Sequence, residues 1–324
     1  ITGIYFYNFY YFGISNMSYM FKGCTSLQEV KFFNPTQNVI YTNHMFEGCN
    51  NLNNINFDYF KYSSNMSYMF ANTGFTKFIF SNFNIKNSLN MSHMFYSCQK
   101  LISIEISGIN FSSFTDMRYM FKGCTNLYNV NLNNFKYFQP KTVSTLLTVD
   151  MSYMFSECTD LNFIKFYKFY SSGTVEINMS YIFEKCHNLS EVIFDDFNIS
   201  SITDISHMFE GCENLENISL DINISEVTSM SFLFANCYKL EYVQFNINSR
   251  TKAKNLEKMF YNCIKLHSIK LPNFDTLKNI DYMFYNCSSL SSLTFKGKID
   301  STISMISSFE KCSSLTSLNL IISS

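Results

Sequence analysis

Apolar residues recur along the chain in one fixed order. Met-x-x-Met-Phe is followed by Leu-x-x-Val-x-Phe, then by a polar stretch, and the cycle restarts. The leading Phe marks each cycle, at Phe21, Phe46, Phe70, Phe95, Phe121, Phe155, Phe183, Phe209, Phe234, Phe260, Phe284 and Phe309. Successive gaps are 25, 24, 25, 26, 34, 28, 26, 25, 26, 24 and 25 residues. A period of this length is the mark of a solenoid, in which each unit buries its apolar face against its neighbours.

Each unit reads as a short helix and a strand. Met four and one residues before Phe, as in Met17 and Met20 before Phe21, shares one face of a helix with it. Five residues before Phe stands Asn16, Asn65, Asn90, Asp116, Asp150, Asn178, Asp204, Ser229, Asn255, Asn279 or Ser304, with Tyr41 the exception. Such side chains accept a hydrogen bond from the first turn of a helix. Gly or Asn two residues after Phe, as at Gly23, Gly48 and Asn236, tolerates the left-handed conformation that stops one. The helix so bounded has about six residues and cannot persist alone in water. The alternation in Val30-x-Phe32 or Ile269-x-Leu271 is that of a strand. With the opening Ile4–Phe6 this gives about thirteen strands, expected to stack into one parallel sheet beside a file of short helices.

Composition adjusts this picture little. Of 324 residues 47% are hydrophobic and 15% charged, with a net charge of −1 and no run of one sign. That leaves no electrostatic footprint for nucleic acid or an anionic membrane. No run of eighteen apolar residues exists to span a bilayer. Residues 1–324 are expected to form a single array of twelve repeats of about 25 residues, with a loop insertion at 136–149 in the longest gap. Without an initiator Met or a signal-peptide pattern, the array is expected to be a fragment of a longer chain.

All 11 cysteines fall three residues after the leading Phe, with Thr73 in the slot of the third unit. Spaced by a whole repeat, they make no C-x-x-C pair, and the expectation is eleven reduced, buried thiols rather than a metal ladder. Two residues before Phe lies a stripe of Tyr19, His44, Tyr68, His93, Tyr119, Tyr153, Tyr181, His207, Phe232 and Tyr282. Histidine alternating with tyrosine argues for a half-exposed aromatic stripe, either a contact surface or stacked packing, and not for ligands or bases. Ten N-x-S/T sequons occur, of which Asn16, Asn65, Asn90 and Asn178 coincide with the capping position. No carboxylate pair, Ser-His-Asp order or phosphate loop stands at a useful spacing, so neither enzyme nor cofactor is expected.

The segment Leu271–Leu293, LPNFDTLKNIDYMFYNCSSLSSL, resembles the BspA-like leucine-rich repeat surface proteins, whose signature is M-x-x-M-F-x-x-C-x-x-L-x-x-L-x-L-x-x-F-D-T. The resemblance runs through about residues 4–320. It implies an α/β repeat, a leucine-rich-repeat-like right-handed solenoid, without catalytic residues. It also implies display at a cell surface or in the extracellular space, or on a virion surface.

Outward positions of the strands vary while the frame is held, so Lys31, Glu105, Tyr128, Phe163, Lys165, Tyr242 and Lys270 are the binding candidates. Tyr128, Phe163 and Tyr242 are suited as aromatic anchors. Two functions follow. One is adhesion or recognition of a protein or glycoconjugate through the strand face; the other is a structural element of a fibre, wall or viral coat, joined to further copies of itself. Neither involves nucleic acid or insertion of this segment into a membrane.

Overall fold

The computed structural model describes residues 1–324 apart from 8–13, 34–38, 61, 82–83, 86–88, 109, 112–114, 139–146, 173–174, 200, 246–249 and 323–324. Every strand pairing in it is parallel, and successive coils stack in register. Val-x-Phe and its equivalents build the first strand of each coil. Across the longest gap Val130 pairs with Ile164 and Leu132 with Phe166, so the extra residues do not disturb the register.

A second row of strands follows in each coil and ends at the Asn/Asp/Ser position. It contains Leu89–Asn90, Thr115–Asp116, Leu147–Asp150, Val175–Asn178 and Ser201–Asp204. Parallel bridges from Asn16 through Tyr41 and Asn65 to Asn90, and from Asp204 through Ser229 and Asn255 to Asn279, carry that row along the array.

The single thirteen-strand sheet is therefore not what forms. Among the described residues the strands fall into five sheets, of 3, 7, 5, 3 and 4 strands. One break lies between Asn54–Ile55 and Lys77–Ser81, beside the third coil, which is a residue short. There the Gly74 N–H donates to Leu52 O at 3.0 Å, and a Cβ on Gly74 would lie 2.5 Å from Asn50 O. Of the expected insertion at 136–149, residues 136–138 lie in the strand Asn129–Phe138, which pairs through Phe138 with Ser172, and 147–149 lie in Leu147–Asp150, which pairs with Val175–Asn178; 139–146 lie outside the described residues.

The file of short helices is likewise absent. Among the described residues the helical element is a 3-10 turn at Phe57–Phe60. The Met-x-x-Met-Phe-x-x-Cys segment is instead a run of reverse turns. In the first coil Met20 N–H donates to Met17 O, Lys22 N–H to Tyr19 O and Cys24 N–H to Phe21 O, at 3.0–3.3 Å. The intervening N–H groups of Met17, Tyr19, Phe21 and Gly23 cross to the carbonyls of Tyr41, Asn43, Met45 and Glu47 in the next coil, at 2.7–3.1 Å. Asn16 Oδ1 accepts the Ser18 N–H at 2.9 Å, closing an Asx turn where a helix cap was expected.

Backbone donors are thus satisfied alternately within and between coils, as buried peptide groups require. Two residues per coil are left-handed to make this possible. They are Tyr19 (φ 62°) and Gly23 (φ 75°) in the first coil and the equivalent pair in the others, such as Tyr181 (φ 58°) and Lys185 (φ 58°). The physical reason for turns is thickness. Stacked parallel strands repeat about every 4.8 Å, whereas a helix with its side chains is about 10–12 Å across. With strands on two sides of each coil, nothing as wide as a helix fits between neighbours.

The core follows from this spacing. The twelve leading Phe rings form one continuous stack, with centroids 5.2–5.9 Å apart from Phe21 to Phe309. Phe135, Phe169 and Phe197 make a second inner file at 4.5 and 5.4 Å. Burying each such ring contributes about 1.5–3 kcal/mol. Beside them the thiols line up: Cys49 Sγ donates to Phe21 O at 3.1 Å, Cys98 to Phe70 O at 3.0 Å, and so on to Cys312 and Phe284 O at 3.0 Å. All eleven cysteines are free, but not all are buried as expected, since Cys24 is exposed and Cys312 half-buried. These two lie in the first and last of the twelve coils.

Candidate interaction surface

Two faces of each coil present side chains outward, the first strand and the run of turns. On the strand face the parallel register decides which residues meet. Glu105, Asn131 and Lys165 occupy one row across three strands. Phe163 lies between Asn129 and Glu191 in a neighbouring row. Tyr128 sits just before its strand, its N–H donating to Ile102 O at 2.9 Å.

The other candidates are elsewhere. Lys31 pairs in register with Tyr5 in another sheet, and Tyr242 and Lys270 belong to a third, where Lys270 faces Gln244. The seven residues therefore form three separate groups, and Tyr242 does not join Tyr128 and Phe163.

Most of the charge on this face is already matched. Lys31 pairs with Glu29 at 2.8 Å and lies 5.6 Å from the Tyr5 ring centroid. Lys165 pairs with Asp195 at 2.6 Å and lies 4.8 Å from the Tyr167 ring. Exposed pairs of this kind add about 0–1 kcal/mol each. Beside these pairs the face carries exposed apolar side chains. Tyr128 is 55% exposed, Ile102 52%, Ile79 51% and Phe163 38%, and they come from four consecutive coils. Sequence reasoning passed over Ile79 and Ile102. For Ile79 a signal was present, because it stands between buried Phe78 and Phe80 and alternation must turn it outward.

On the turn face the aromatic stripe is a stack. Tyr19, His44, Tyr68, His93, Tyr119, Tyr153, Tyr181, His207 and Phe232 lie ring on ring, with centroids 4.1–4.7 Å apart. Lys258 continues it, its Nζ 4.8 Å from the Phe232 ring and 5.7 Å from that of Tyr282. Within the stack each ring face is covered by a neighbour, while Tyr19, with His44 on one face, is 53% exposed. His44 Nδ1 meets the Glu47 carboxylate, and His207 Nδ1 lies 2.6 Å from Glu210. Burial works to raise the Glu47 pKa, but hydrogen bonds from His44 and Lys22 outweigh it and hold the carboxyl below its ordinary value. Burial pushes the His93 pKa below its ordinary value, and its buried Nδ1 has no partner among the described residues.

The chemistry on offer is that of packing and contact. Burial pushes the Cys49 thiol up to about 12 and drives most of the other thiols upward too, the reverse of what a nucleophile or metal ligand needs. Among the described residues no three His, Cys, Asp or Glu side chains cluster to hold a metal ion. Among the described residues no helix is long and apolar enough to cross a membrane.

A family model described as "Mycoplasma protein of unknown function, DUF285" matches residues 15–135, 64–171, 149–271, 177–297 and 244–319. Among solved structures, a leucine-rich repeat protein from Bacteroides ovatus is similar at 19% identity with a TM-score of 0.56, over 99% of this chain and 73% of that one. A leucine-rich repeat protein from Eubacterium ventriosum matches at 18% identity and a TM-score of 0.40, over 97% of this chain and 89% of that one. A leucine-rich repeat protein from T. pallidum matches at 20% identity and a TM-score of 0.36, over 66% and 78%. The Bacteroides protein shares the fold, a leucine-rich-repeat-like solenoid of parallel strands. No curated protein matches by sequence.

Proposed function

Because the chain belongs to the DUF285 family of Mycoplasma proteins of unknown function, we propose that it is a recognition scaffold displayed outside the cell, binding a protein or glycoconjugate through its strand face. The observation that carries this reading is the set of exposed apolar side chains, Ile79, Ile102, Tyr128 and Phe163, on the strand side of four consecutive coils of an otherwise uniform frame. Neighbouring apolar side chains left in water are characteristic of contact sites, and aromatic residues dominate the energetics of such contacts. The regular frame supports the reading as well. A solenoid repeats one shallow environment many times, whereas catalysis needs a single asymmetric constellation in a water-poor pocket. Display outside the cell, as in the BspA-like proteins, rests on the resemblance in the repeat signature.

The test is binding of the purified chain to a panel of immobilised extracellular proteins and glycoproteins, measured by surface plasmon resonance. The Tyr128→Ala/Phe163→Ala double variant is expected to fold like the parent and to bind at least about tenfold more weakly, a loss of about 1.4 kcal/mol. Tyr242→Ala, in a separate sheet, reports whether the contact extends further along the array. Undiminished binding by the double variant refutes the strand-face assignment.

A further inference from the structure

The second coil abandons the repeat at three consecutive positions. Where five of the other coils carry Asx-Met-Ser, as in Asn65-Met66-Ser67, Asn90-Met91-Ser92 and Asn178-Met179-Ser180, this one carries Tyr41-Thr42-Asn43. The backbone holds its course, since Tyr41 still bridges Asn16 and Asn65 and its carbonyl still accepts the Met17 N–H at 2.9 Å. What is lost is local stabilisation. Elsewhere the Asx oxygen accepts the N–H two residues on, as from Ser67 at 3.1 Å, Ser92 at 2.9 Å and Ser180 at 3.0 Å. Tyr41 has no such oxygen to offer, and the Asn43 N–H has no acceptor among the described residues.

Asn16, Ser18, Tyr19, Tyr41 and Asn43 line an open surface depression of about 610 Å³. The Tyr19 and Tyr41 rings that line it are 53% and 46% exposed, so apolar ring surface is available there. The polar lining is amide and hydroxyl: Ser18 Oγ donates to Asn43 Oδ1 at 2.6 Å, and Asn16 Oδ1 accepts the Ser18 N–H, leaving the amide NH₂ groups of both asparagines as donors. None of the five residues is charged. The adjoining Lys22 and Glu47 neutralise each other at 2.9 Å.

We propose that this depression on the turn face, between the first and second coils, binds a neutral saccharide. A sugar ring presents an apolar C–H face, which packs on a phenol ring, and a rim of hydroxyls, which pair with amides and a backbone N–H. An uncharged lining with no spare cation disfavours a sialylated or sulfated sugar. The site is distinct from the strand face, and its success or failure is independent of that reading.

The repeat itself supplies the decisive variant. Tyr41→Asn restores the residue found in most other coils and returns the Asx oxygen, so it is expected to fold at least as stably as the parent while losing the aromatic wall. Saturation-transfer NMR of the chain with lactose, maltotriose and chitotriose is expected to show transfer to at least one of them, with a Kd on the order of 1 mM. Tyr41→Asn should weaken that binding at least about tenfold, whereas the Tyr128→Ala/Phe163→Ala variant should bind sugar as the parent does. Absence of transfer from the parent to all three sugars, or unchanged binding by Tyr41→Asn, overturns the proposal. Loss of sugar binding in the strand-face variant overturns the location, and preference for sialyllactose over lactose overturns the neutral class.

Discussion

Replacing Tyr181 by Ala and, separately, by Gly distinguishes a turn from a helix at the centre of the repeat. Tyr181 has φ 58° and is stacked between Tyr153, with centroids 4.2 Å apart, and His207, at 4.1 Å. Each aromatic contact contributes about 0.5–1.5 kcal/mol beyond its buried area, so losing both costs about 1–3 kcal/mol in either variant. The backbone then separates the two. A left-handed conformation costs an L-residue about 1–2 kcal/mol, a strain that Ala keeps and Gly relieves. Glycine's greater freedom in the unfolded chain gives back roughly 0.5–1 kcal/mol.

Tyr181→Gly should therefore be the more stable of the pair, or at worst equal to Tyr181→Ala. Within a helix the order reverses, and Gly falls about 1 kcal/mol below Ala. Urea unfolding followed by circular dichroism, with midpoints compared at a common slope, reads the sign directly. An Ala variant more stable than the Gly variant by about 1 kcal/mol would refute the turn and the role given to the left-handed residue.

Further outcomes follow from the same geometry. Lys185, exposed at φ 58° where other coils carry Gly, should gain about 1 kcal/mol in urea unfolding on Lys185→Gly, less the small contribution of its ion pair with Glu184. Gly74→Ala should destabilise by about 1–3 kcal/mol, because its Cβ would meet Asn50 O at 2.5 Å; a neutral effect in the same assay refutes the close approach. With a thiol-reactive disulfide reagent, Cys24 should react at once, Cys312 slowly and the nine buried cysteines only on unfolding. Because burial raises the thiol pKa in the folded state, from 9.0 to about 12 at Cys49, the unfolded chain releases protons first. Stability contributed by the protonated thiols is thus complete below about pH 9 and falls as pH rises from there towards 12; urea midpoints that stay level across that window refute the burial argument.

Phe21 and its eleven equivalents announce a stacked repeat, because a residue recurring every 25 or so positions in an apolar setting can be buried only by its own copies. The alternation in Val130-x-Leu132 fixed that strand's inward face, and it pairs with Ile164-x-Phe166 despite the longest gap. The outward placing of Lys31 and Lys270 follows from the same alternation, whereas Tyr128, two residues before buried Val130, is outward because it precedes the strand.

The helix, in contrast, was a fair inference from Met17, Met20 and Phe21 that the tertiary structure overrules. Spacing of three and four residues brings side chains to one side of a helix and equally of two consecutive turns. The Asn16 side chain makes the same bond to the Ser18 N–H in either case. What separates the two is the destination of alternate N–H groups, which leave the coil for its neighbour, as from Tyr19 to Asn43 O. No local pattern carries that information. The division of the described strands into five sheets, the exposure of Ile79, Ile102, Tyr128 and Phe163, and the depression at Tyr41 have the same origin. A sequence specifies which residues must leave water, and so the period and the inward faces. Stacking at the strand spacing sets how thick each coil can be, and only then are the neighbours across coils decided.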